Sequence, residues 1–281
     1  MPYNWRPHFL LFGPTGAGKT RFGTHFLRYN KPDGSGPMTI EVADIGHGLT
    51  SSVGEIPEER IFPIQTFENL VSYCAGIEER NSDVIIIDDL TFLNFKLAIE
   101  SAQIRGVTKD TEDDIRDMLQ EKKFPKIKYK PPEIRDRGIS SEKLRILIYN
   151  LLDMNKIVIF TCAEDLEAEK INMGLGKDPI TTGKTYRVPN LPGKLSSELP
   201  YFVAEVFYFY IDSGAGESVY KIRTLPDGGW IKDCKDRSDK MRTMKGWNRG
   251  VVANDREGKL FDAMIGAFPW SDGSRPLLRS S

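Results

Sequence analysis

An α/β fold on a mostly parallel sheet is what this sequence predicts, and three observations predict it. Short β-rich apolar runs alternate with segments of helical spacing. The first run ends in a glycine-rich loop that opens into a helix. A later apolar run, Val84 to Ile87, ends in paired aspartates.

The elements follow in order. His8 to Phe12 reads as a buried strand, and Thr20 to Tyr29 as the helix after it. Met38 to Ala43 is a second strand and Ile61 to Ile64 a short one. Phe67 to Arg80 has helical spacing, with Leu70, Cys74 and Ile77 on one face. Val84 to Ile87 is a third core strand. Ser140 to Met154 reads as a helix capped by Ser140, its stripe formed by Leu144, Leu147, Ile148, Leu151 and Leu152. Ile157 to Thr161 is a fourth core strand. Val203 to Ile211 and Ser218 to Thr224 read as later strands, the second running into a Pro-Asp-Gly-Gly turn at 226–229. Two polar stretches, 105–139 and 164–195, read as long loops. The expected division is a main domain over 1–249 and a tail over 250–281 with one apolar helical piece, Leu260 to Phe268.

Bulk properties narrow the class. The chain has 281 residues, 40% of them hydrophobic and 28% charged, with a net charge of -1. No global field points to nucleic acid or membrane, so any such surface is a local patch. Cys74, Cys162 and Cys234 have no disulfide or zinc spacing, which fits a reducing compartment. No apolar run reaches the ~18 residues that span a bilayer, and a cytoplasmic setting without a membrane partner is expected.

Gly13-Pro14-Thr15-Gly16-Ala17-Gly18-Lys19-Thr20 fits G-x-x-x-x-G-K-[ST] in full, and Arg21 follows it. Glycines let the backbone wrap closely, so its N–H groups converge on phosphate oxygens at the start of a helix. Lys19 is expected to reach the β- and γ-phosphates, and the Thr20 hydroxyl to ligate Mg²⁺. "VIIIDDL", residues 84 to 90, supplies the acid that such a site needs. Asp88 is expected to hold Mg²⁺ through water, with Asp89 beside it. The cofactors this implies are ATP and Mg²⁺. Hydrolysis needs a carboxylate to orient water. Asp44, at the tip of the second strand, is the first choice, and Glu41 the second. His47, in "DIGHGL", could line the site, but a lone histidine is more often structural.

The ordered set "GPTGAGKT", "VADIGHG", "VIIIDDLTFLN", "IVIFTCAED", "PNLPGKLSSELPYFVAEV" and "IKDCKDR" resembles the RecA-like P-loop ATPases of bacteriophages, a group that includes single-strand annealing and recombination ATPases. The likeness spans about residues 8 to 240. It implies a RecA-like core with a late β-hairpin. It implies that Thr161 senses the γ-phosphate. Lys235 and Arg237 match the K-x-R element by which one subunit reaches a neighbour's γ-phosphate, so self-assembly into a ring or filament is implied. An aspartate at position 44, where relatives usually carry glutamate, implies slow hydrolysis or a role for Glu41 instead. The setting implied is the cytoplasm of an infected bacterium, with a phage replication or recombination protein as a further partner.

Single-stranded DNA is the partner that the two polar stretches suggest. The first offers Lys122, Lys123, Lys126, Lys128 and Lys130 with Phe124 and Tyr129. The second offers Lys170, Lys177, Lys184, Arg187 and Lys194 with Tyr186. A basic track with aromatic stacking suits single strands. The leading expectation is a recombination or annealing ATPase. The alternatives are a replicative helicase core or helicase loader, and an ATP-driven assembly switch with a protein partner.

Overall fold

The structure is a computed structural model. It describes residues 6–46, 55–106, 132–171, 180–213, 219–226, 231, 234–236, 251–253, 258–267 and 275–279. The elements run β1 (His8–Phe12), α1 (Lys19–Thr24), β2 (Tyr29–Asn30), β3 (Ile40–Asp44), β4 (Ile61–Pro63), α2 (Phe67–Ala75), β5 (Val84–Asp88) and α3 (Leu90–Gly106). There follow α4 (Ile134–Leu152), β6 (Ile157–Cys162), β7 (Glu164–Ile171), β8 (Ile180–Pro189), α5 (Leu195–Phe202), β9 (Glu205–Asp212), β10 (Val219–Arg223), β11 (Lys235–Asp236), β12 (Val251–Ala253), α6 (Lys259–Ala267) and β13 (Leu277–Leu278).

Among the described residues the central sheet has nine strands, in the order β12-β10-β9-β1-β6-β5-β3-β4, with β11 also on β9. From β9 to β4 every pairing is parallel, and β10, β11 and β12 add antiparallel. The α/β class read from the sequence is therefore the observed one. Near-continuous apolar runs such as Val84 to Ile87 form strands because helices cover both faces of the sheet. One core layer lies between the sheet and α2 to α5, built on Leu70, Leu93, Leu97, Leu144, Ile148 and Leu199. The other lies under α1 and α6, built on Phe22, Phe26, Phe261, Met264 and Ile265.

Several boundaries differ from the sequence reading. The first helix is short. After Thr24 it tightens into a 3-10 turn over His25–Arg28. Thr24 bonds its hydroxyl back to the Arg21 carbonyl, a local contact that competes with the regular ladder. The predicted helix over 67–80 stops at Gly76, and it starts on a capping box between Thr66 and Asn69. The helix expected from Ser140 begins six residues earlier, at Ile134, on a capping box between Glu133 and Asp136. Ser140 lies mid-helix, bonded to the Arg137 carbonyl and to Asn94. The 17-residue α3 had no clear apolar period to announce it.

The stretch 164–195 departs from the expected loop. It is not a loop but mostly the antiparallel hairpin of β7 and β8, which forms its own two-stranded sheet. Its outer residues, Ile180 to Thr185, are exposed and mixed in polarity, so no alternation marked them as strand. The C-terminal helix covers the core of its own chain. Phe261 inserts among Phe22, His25, Phe26 and Tyr29, with ring centroids 5.1, 5.6, 4.7 and 5.9 Å away. Asp262 accepts from Arg28 and Tyr29, and β13 pairs with β2. Among the described residues no helix is long and apolar enough to cross a membrane.

Candidate nucleotide site

The loop between β1 and α1 is held where the sheet's strands end. Gly13, Gly16 and Gly18 all have positive φ, at 142, 80 and 92°. Gly13 has a second constraint. A Cβ there would stand 2.0 Å from the Phe209 carbonyl oxygen, because β9 runs directly alongside. Only glycine satisfies both demands. Thr15, Gly16 and Arg21 are exposed, Pro14 and Gly18 half-buried, and Ala17 buried. The buried Lys19 ammonium donates to the carbonyls of Gly13 at 2.8 Å and Pro14 at 2.9 Å. Burial lowers its pKa, while the surrounding acids Asp88, Asp89 and Glu164 favour the charged form.

Asp88 gathers the next group. Strand β6 lies between β1 and β5, so Thr161 stands between the loop and Asp88. The Thr20 hydroxyl donates to Asp88 Oδ2 at 2.8 Å, and the buried Thr161 hydroxyl donates to Asp88 Oδ1. Asp89 instead accepts the Phe92 N–H at 2.6 Å, at the start of α3. Burial raises its pKa, with the charge of Asp88 adding to the rise. Among the described residues no cluster of three or more acids, histidines or cysteines forms a metal cage. A hydroxyl and a carboxylate are nevertheless the hard oxygen donors that suit Mg²⁺, which takes its remaining ligands from water and phosphate.

The two candidate water-orienting acids part company. Asp44 ends β3 in register with Asp88, is buried, and lies near the Lys96 ammonium. Glu41 belongs to the α2 face of the sheet, opposite α1. It accepts from Tyr73 at 2.8 Å, from Ser82 at 2.5 Å and twice from Arg80 at 3.1 Å. That ion pair is internal, and the structure does not bring Glu41 to the loop.

Lys235 is also occupied within its own chain. Its ammonium donates to the carbonyls of Pro200, Tyr201 and Val203, capping the end of α5. Of the proposed DNA contacts, Lys184 is exposed on the β7–β8 hairpin. Arg187 is turned onto Glu164. Lys122, Lys123, Lys126, Lys128, Lys130, Lys177, Arg237, His47 and most of the 226–229 turn lie outside the described residues.

Tyr208, Glu164 and Thr91, which the sequence did not single out, complete the surroundings. Tyr208 pairs in register with Phe12, its ring 5.0 Å from the Phe12 ring, and donates to Glu164 Oε2 at 2.7 Å. Thr91 links the start of α3 to the base of the hairpin through Ala163 and Asn190. Each becomes visible only when β6, β9 and α3 are brought together.

No family model matches the chain, and no curated protein matches it either. Among solved structures, it is similar to a KaiC-like protein of the hyperthermophilic archaeon Pyrococcus horikoshii OT3. The two share 15% identity over 89% of each chain, with a TM-score of 0.42. That likeness is too loose to carry a role from one chain to the other.

Proposed function

We propose that this chain is a Mg²⁺-dependent P-loop ATPase of RecA-like build that acts on single-stranded DNA as an assembly of several copies, in phage recombination or annealing. The observation that carries the nucleotide part is the convergence of Thr20 and Thr161 on Asp88, beside a lysine folded into its own loop. In this reading the loop N–H groups and Lys19 bind the β- and γ-phosphates of ATP. Thr20, and Asp88 through water, hold Mg²⁺. When bound, the ion neutralises charge on the phosphate oxygens. Asp44 orients the attacking water, and Thr161 reports the state of the γ-phosphate to Asp88. Arg237 serves as the finger from a neighbouring copy. Lys235 holds β11, two residues before it, against the end of α5. The DNA part is supported by the basic run at 122–130 and by the exposed Lys184.

The test is the ATPase rate with and without single-stranded DNA, in wild type, Lys19→Ala and Arg237→Ala. The expected outcome is stimulation by DNA in wild type and loss of turnover in both variants. Mixing the two variants should restore part of the rate, since one interface then combines an intact loop with an intact finger. A rate indifferent to DNA would leave an ATP-driven assembly switch as the better reading. Wild-type turnover by Arg237→Ala would remove the trans-acting finger.

A further inference from the structure

The β7–β8 hairpin places a cation, Arg187, at the end of a contact chain that leads to the nucleotide loop. Arg187 sits on β8 opposite Leu166. Its Nη1 donates to Glu164 Oε1 at 2.5 Å, and the other oxygen of Glu164 accepts from Tyr208. Tyr208 lies beside Phe12, the residue before Gly13, and the Gly13 carbonyl accepts from Lys19. A short chain of contacts therefore joins the Arg187 guanidinium to the Lys19 ammonium.

The stem of the hairpin is fixed at this end. The Asn190 N–H donates to the Ala163 carbonyl at 2.9 Å, and the Ala163 N–H donates to Thr91 Oγ1 at 3.0 Å. Thr91 Oγ1 in turn donates to the Asn190 carbonyl at 3.0 Å. Arg187 also forms a backbone bridge with Ile231. Arg187 thus projects from an anchored base rather than from the outer hairpin, where Lys184 stands exposed. Its side chain retains 35% exposure, so the guanidinium has room to turn.

Charge points the same way. A carboxylate next to the loop opposes the entry of a triphosphate. Glu164 is tolerable there because Arg187 compensates it. A guanidinium carries five donors in a planar fork, and phosphate oxygens match that fork as well as a carboxylate does.

We propose that Arg187 is a γ-phosphate contact supplied in cis by the β7–β8 hairpin, with Glu164 as the internal acceptor against which that phosphate competes. This rests on the ATP reading above.

The experiment is calorimetric titration of wild type, Arg187→Ala, Arg187→Lys and Lys19→Ala with AMP-PNP and with ADP, each with Mg²⁺. Arg187→Ala should weaken AMP-PNP binding by about tenfold or more and ADP binding by less than about twofold, as expected for a lost charged hydrogen bond. Arg187→Lys should recover part of the difference. Equal weakening of both nucleotides marks a purely structural residue and overturns the proposal. So does an unchanged nucleotide ratio with lost binding to a single-stranded oligonucleotide. If wild type binds nucleotide and Lys19→Ala does not, either of those results overturns the Arg187 contact alone. If wild type binds neither nucleotide, the ATP site falls with it.

Discussion

His8, the first residue of β1, shows how a single side chain ties stability to pH. Its Nε2–H donates to the Leu152 carbonyl at 3.0 Å, and burial lowers its pKa from 6.5 to about 4. The unfolded chain therefore binds a proton that the folded chain refuses between about pH 6.5 and pH 4. Stability contributed by the neutral imidazole is full above that window and declines as pH falls through it. In urea unfolding at pH 7 and pH 5, wild type should lose stability with a slope approaching about 1.4 kcal/mol per pH unit relative to His8→Asn. Identical slopes in the two proteins would refute the assignment. Other residues show what local sequence reveals at this scale. The full G-x-x-x-x-G-K-T pattern and the acid after a β-branched run are local, so Gly13 to Thr20 and Asp88 were legible. Strand position put Asp44 ahead of Glu41, but what holds Glu41 away was not legible. Two acids three positions apart on a strand look alike until Tyr73, Arg80 and Ser82, some 32 to 41 residues further on, close around one of them.

Among the elements, α6 has the clearest energetic role. It braces α1, the helix that begins with Lys19, through Phe261. Phe261→Ala should cost about 3–5 kcal/mol of unfolding free energy, because the surrounding rings cannot close a cavity of that size. Chemical denaturation measures it, and a loss below about 1 kcal/mol would mean that α6 is dispensable to the core. The apolar spacing of 260–268 announced this helix but not its target, since the same stripe serves equally for a neighbouring molecule. The core strands were legible within one or two residues because parallel strands buried on both faces are continuous apolar runs. The β7–β8 hairpin was not, because its strands face solvent and carry no alternation. Helix α3 escaped for a related reason. It packs on one side under the sheet while exposing Phe92 and Phe95 on the other, which blurs its period.

For the molecule as a whole, ligand binding and folding are one equilibrium. The loop, Asp88 and Thr161 are fixed by three strands of the sheet, β1, β5 and β6, and the hairpin base by β7 and β8, so a ligand that engages them stabilises the whole chain. At 100 times its dissociation constant, ATP with Mg²⁺ should add about 2.7 kcal/mol and raise the melting temperature by several degrees. Differential scanning fluorimetry reads this directly, and Lys19→Ala should abolish the shift. A shift of equal size in that variant would mean that the nucleotide binds elsewhere. The close approach of Gly13 to Phe209 has a bearing on any genetic study of this protein. A side chain at position 13 would push β1 and β9 apart, so alleles altered there would report a missing protein rather than an inactive one. A clean nucleotide-blind control has to be made at Lys19, where the strands are left untouched.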